Sequence, residues 1–156
     1  MYSILNHTHS SLRWVVSILA IYTIYKYYIG WKNKSAFAKE DNRLGALYVG
    51  SLHLQLVIGL LLYFVYSPIV QAAMSNMKLA MKDSALRFWA VEHITMMILA
   101  VIVAQVGRIV SKKSSSDSEK YRKGFVYFLI SIIIILLAIP WPFRVEGIAR
   151  GWFPGM

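Results

Sequence analysis

From Ala85 to Val110 the chain reads ALRFWAVEHITMMILAVIVAQVGRIV, an apolar run long enough to cross a bilayer that carries Glu92 and His93 side by side about two turns inside it. Nothing else limits the fold as strongly. A helix satisfies its own backbone in hydrocarbon, but an ionisable side chain at that depth is costly unless it is paired, ligated or facing a polar interior. Helical spacing sets His93 on one face with Ala90, Met97, Ala100 and Ala104. That face is mostly small, so a neighbouring helix or a flat cofactor can come close; ordinary packing of small residues between membrane helices gives the same pattern.

With 58% hydrophobic residues in a chain of 156, little is left over for a soluble domain. A span needs roughly 20 apolar residues, and four stretches qualify in whole or in part. The expected fold is all-α: one integral membrane domain over 1–156, a four-helix bundle running up-down-up-down. Its helices are expected near 2–31, 44–66, 85–111 and 124–140, with a short amphipathic helix over 69–84 lying on the outer surface. The chain has no cysteine, which excludes disulfides, iron–sulfur clusters and thiolate haem ligation within it.

The net charge of +10 is distributed by topology. Lys26, Lys32, Lys34, Lys39 and Arg43 surround the first connection, and Arg108, Lys112, Lys113, Lys120, Arg122 and Lys123 surround the third. In a four-span protein these two loops share a side, which the positive-inside rule makes cytoplasmic, so both termini are expected outward, in the periplasm. No basic face interleaved with aromatics exists elsewhere, which argues against nucleic acid as a partner.

The apolar run between Arg13 and Lys26 is too short to span, so the first helix must extend, and a start near Tyr2 gives adequate length. That choice places His7, His9 and Arg13 in the outer part of the membrane, with His9 and Arg13 on one face. A solvated tail carrying both histidines is the alternative. The second helix carries Ser51, His53 and Gln55; the segment KKSSSDSEKYRKG after the third reads as a mobile charged loop. The fourth helix is nearly featureless. Arg144 or Arg13 is the expected partner of Glu92.

Depth follows from about 1.5 Å of rise per residue: His93 and His9 come out roughly 10 Å below the outer surface, His53 roughly 20 Å. Two axial ligands of one upright haem need similar depths, which favours His9 with His93. Zinc catalysis needs three converging ligands, and no nucleophile elbow is present. Met74, Met77 and Met81, three and four apart, suit either an interfacial helix or a Cu(I) site.

The segments HTHSSLRWVV, SLHLQLVIGLLLYF and LRFWAVEHITMM, closed by IPWPFR, resemble a family of small four-helix membrane proteins of Bacteroidota-type bacteria labelled cytochrome b-like. More distantly, they are similar to the cytochrome b561 and haem A synthase bundles. The resemblance to the small family covers nearly the whole chain. It implies His7, His9, His53 and His93 as candidate ligands of haem b in a bacterial inner membrane, with electron transfer linked to the quinone pool or a respiratory partner. The repeated histidine pair of a two-haem b561 protein is missing, which argues against two haems. Glu92, Arg13, Trp89 and Met97 are the expected neighbours that tune the site. The alternatives are a non-catalytic subunit of a larger membrane complex, and copper handling or transport.

Overall fold

The structure is a computed structural model, and it describes residues 1–153. It is all-helical: among the described residues 80% are helix and there is no strand. Helix α1 spans Tyr2–Lys32, α2 Lys39–Tyr66, α3 Pro68–Ser75, α4 Met77–Ala80, α5 Ser84–Lys113 and α6 Asp117–Ala138. Helices α2, α5 and α6 are each long and apolar enough to cross a membrane. Helix α1 has 31 residues, a length of about 46 Å at the usual rise.

Two helices begin earlier than their apolar runs predict, because polar residues cap them. Before α2, the Asp41 carboxylate accepts the Ala38 N–H at 3.0 Å, and Glu40 and Asp41 sit in the first turn. Before α6, Ser116 Oγ accepts from the Glu119 N–H, and Asp117 and Glu119 complement the positive helix end. The charged segment expected to be a mobile loop is therefore mostly the first turns of α6. Only Ser114 to Ser116 separate α5 from α6. At the other end α6 stops at Ala138, since Pro140 cannot continue it.

The single outer helix expected over 69–84 is broken. Asn76 leaves helical geometry and its side chain caps α4 through the Leu79 N–H at 3.1 Å. Pro68 opens α3 at the first helical position, with Ser67 Oγ accepting from Val70. The break interrupts the register that a methionine face needs: Met74 lies on α3, Met77 on α4, and Met81 just past it. All three are exposed.

The four long helices form a ring in which α1 touches α2, α2 touches α5, α5 touches α6 and α6 returns to α1. Helices α1 and α5 thus face each other across the centre. The half of the ring near the two short connections, here the connection end, is filled by Tyr27, Tyr48, Tyr121 and Phe128. Tyr27 and Tyr48 each stand edge-on to Phe128 at 5.3 Å between ring centres. Their hydroxyls are bonded: Tyr27 donates to the Asp41 carbonyl at 3.0 Å, Tyr121 to the Asp41 carboxylate at 2.6 Å, and Tyr48 meets Ser131 Oγ at 3.0 Å. Ser131 in turn donates to the Ala100 carbonyl at 2.9 Å. Tyr27 fits because Gly124 has no side chain; a Cβ there would strike the ring.

Candidate functional site

The opposite half, the terminal end, holds a cavity of about 140 Å³ lined from all four long helices and from α3. Most of its wall is aliphatic. The polar groups that reach it include His9 and Arg13 of α1, Gln55 and Tyr63 of α2, Trp89 and His93 of α5, and Arg150 of the C-terminal segment.

His9 and His93 converge from opposite sides of the ring. Their ring centres are 6.4 Å apart and their planes are inclined at 71°. His93 is held by its Nδ1, 2.9 Å from the carbonyl of Ala138. A carbonyl only accepts, so Nδ1 carries the proton and Nε2 keeps its lone pair. Ala138 can serve because it ends α6, where carbonyls lack helical partners. Phe88 and Trp89 flank the His93 ring at 5.7 Å each. Trp89 is fixed in turn by its Nε1–H, which donates to the Gly147 carbonyl at 2.9 Å.

His9 is anchored less tightly. Gln55 donates to its backbone carbonyl at 2.8 Å, while its Nδ1 is buried without a partner among the described residues. The ring lies over Gly59: a Cβ at that position would sit 3.1 Å from His9 Cε1. Gly59 therefore leaves the space the imidazole occupies.

Two of the helices that line the cavity, α2 and α5, widen beside it. Leu62–Tyr66 in α2 and Phe88–Glu92 in α5 are single turns of π-helix, closed by the Ser67 N–H to Leu62 and the His93 N–H to Phe88. Such turns leave a carbonyl without its helical donor, and they recur at functional sites. Here Tyr63 of one π-turn donates to the Ala90 carbonyl of the other at 2.6 Å. The pair locks α2 to α5 immediately before His93.

The other two histidines are not brought to this site. His7 is exposed, since two residues before His9 is nearly the opposite side of a helix. His53 is exposed as well, two residues from the inward Gln55, with its Nδ1 bonded to the Val49 carbonyl of its own helix at 2.8 Å. Glu92 also turns away. Its partner is Arg87, at 2.7 Å, and not Arg13 or Arg144; the wide π-turn carries residue i+5 back over residue i, and both side chains are about two-fifths exposed. Arg144 instead donates to the Leu137 carbonyl. Of the expected tuning residues, Arg13, Trp89 and Met97 line the cavity and Glu92 does not.

Gln55, Gly59, Tyr63 and Arg150 belong to the site although the sequence did not single them out as site residues. Gly59 and Tyr63 lie four apart on α2, one face of a helix, and that spacing is the signal that could have found them. Arg150 carries no such signal, because it is placed by an irregular segment.

Among the described residues no group of three or more His, Asp or Glu could hold a metal ion. Catalytic zinc, which needs three protein ligands, finds no such set among those residues. Haem asks less of the protein, since the macrocycle supplies four nitrogens and the chain at most two axial ligands. The residues fit that demand: two imidazoles meet edge-on, one is oriented by a carbonyl through its Nδ1, as ligating histidines are, and the other has a buried Nδ1 without a partner among the described residues. No protein-family model, curated protein or solved structure matches this chain.

Proposed function

We propose that the protein is a four-helix bundle of the bacterial inner membrane that binds one b-type haem between His9 and His93 and moves electrons between the quinone pool and a membrane partner. Helix α1 serves as the fourth span beside α2, α5 and α6. The basic residues around the two short connections favour the cytoplasm for that end, an orientation that would set both termini and the cavity toward the periplasm.

One observation carries the reading: the 6.4 Å between the His9 and His93 ring centres. Rings whose centres are this far apart would be able to hold one iron between a nitrogen of each, the protein's share of a haem site. Iron between these rings would supply reversible one-electron chemistry. The chain's own part is to hold His93 in one tautomer through Ala138, to keep Gly59 clear of His9, and to exclude water with Trp89, Met97 and the aliphatic wall. At about 140 Å³ the cavity is smaller than the roughly 300–1,000 Å³ of sites that enclose a whole ligand. A macrocycle would therefore require margin side chains such as Met97 to turn aside, which an unbranched thioether can do.

The test is a reduced-minus-oxidised absorbance spectrum of protein purified in mild detergent with haem supplied. A sharp α-band of six-coordinate haem is expected in the wild type and in His53→Ala, with at least a tenfold loss of bound haem in His93→Ala. A flat spectrum in the wild type, or full loading of His93→Ala, sinks the reading.

The second reading is a non-catalytic subunit of a larger membrane complex. The direct contact of His93 with the Ala138 carbonyl favours it, because a histidine that only packs makes the same bond. Co-purification with a stable partner, assembly intact in His93→Ala and no cofactor in either, distinguishes it.

A further inference from the structure

Two guanidinium groups reach the cavity and, among the described residues, no carboxylate does. Arg13 donates from Nη2 to the Trp152 carbonyl at 3.0 Å, yet its Nε is buried and has no hydrogen-bond partner among the described residues. Arg150 stands at the rim, over the Trp89 ring at 4.6 Å, with Nη1 directed to backbone carbonyls, the nearest that of Ala149 at 2.8 Å. Carbonyl oxygens satisfy donors but carry no charge. Among the described residues Glu146, four before Arg150, makes no ion pair with it, and Glu92, next to His93, is taken up by Arg87. Positive charge without a counter-charge is costly beside an apolar wall and repels any further cation.

We infer that Arg13 and Arg150 receive the carboxylate side groups of the ligand that His9 and His93 hold, an inference that rests on the haem reading above. Arg13 lies one turn from His9 on the same face, and side chains of α1 lean toward its N-terminus, which returns the guanidinium toward the level of His9. Arg150 is held by Trp89, one turn before His93. Each imidazole thus has an arginine beside it. A b-type haem carries two propionates, so the charges balance, and the planar guanidinium fork suits a carboxylate.

The experiment titrates detergent-solubilised protein with iron protoporphyrin IX and, separately, with its dimethyl ester, following the Soret band and correcting for partition into micelles alone. The wild type should bind the diacid at least tenfold more tightly than the ester. Arg13→Gln and Arg150→Gln should each narrow that gap and the double variant should close it, with affinity for the ester and the six-coordinate spectrum unchanged. Equal affinity of the wild type for the two porphyrins, with the spectrum intact, overturns the arginine assignment alone and needs no variant to fold. A gap that survives in the double variant overturns it too. No Soret shift with either porphyrin removes the haem reading and this inference together.

Discussion

The two ends of the helical ring solve the same problem, polar groups in an apolar interior, in opposite ways. At the connection end, Tyr27, Tyr48, Tyr121, Ser131 and Asp41 bond to one another or to backbone, and large rings fill the space to the point of resting on glycines. At the terminal end, His9 Nδ1, Arg13 Nε and Gln55 Oε1 are buried without partners, beside a cavity. Among the described residues, Arg108 Nε is the one such atom toward the other end. A buried polar group without a partner costs about 1–3 kcal/mol, so three gathered at one cavity mark a region not optimised for packing alone. The first half is built for stability, and the second spends some of it.

Substitutions can break that contrast, the largest effect coming from the packed half. Gly124→Leu forces a side chain into the Tyr27 ring and should cost about 3 kcal/mol or more, read as a large fall in the detergent melting temperature followed by circular dichroism. An unchanged melting temperature would mean the connection end is looser than its contacts imply. Tyr63→Phe should come next. It strips the carbonyl of buried Ala90 of its donor at about 1–3 kcal/mol, and on the proposed reading it should also weaken haem binding because the π-turn before His93 loses its lock. If stability falls with haem binding unaffected, the π-turns do not position His93.

Tyr48→Phe removes one bond from a buried chain that keeps its other links, so a loss of about 1 kcal/mol is expected, with haem binding untouched. Gly59→Ala should do the reverse: hardly any change in melting, but a several-fold drop in haem affinity, since the new Cβ would lie 3.1 Å from His9 Cε1. Equal effects of Tyr48→Phe and Gly59→Ala on both measurements would erase the division between the halves. The smallest effect is assigned to Glu92→Gln. Its pair with Arg87 is exposed and worth about 0–1 kcal/mol, and the absorbance spectrum should not move.

Much of the fold could be read along the chain, because length and polarity belong to each apolar helix independently of the others. The π-turns, the early starts of α2 and α6 and the break at Asn76 could not, since each depends on a cap or a bond to another segment. The site shows the same limit. His93 and His9 stand out as polar residues at matching depth, but Glu92, adjacent to His93 and more conspicuous still, points elsewhere, because neighbours on a helix face directions about 100° apart.

Composition and periodicity by themselves determined that the chain is helical and apolar enough to enter a membrane, since those properties belong to each segment alone. Which two of four histidines meet, which arginines share their cavity and which acid is diverted to Arg87 were decided only when the helices closed into a ring. Rotation of a helix about its axis is fixed by its neighbours, and that rotation determines where a side chain ends up.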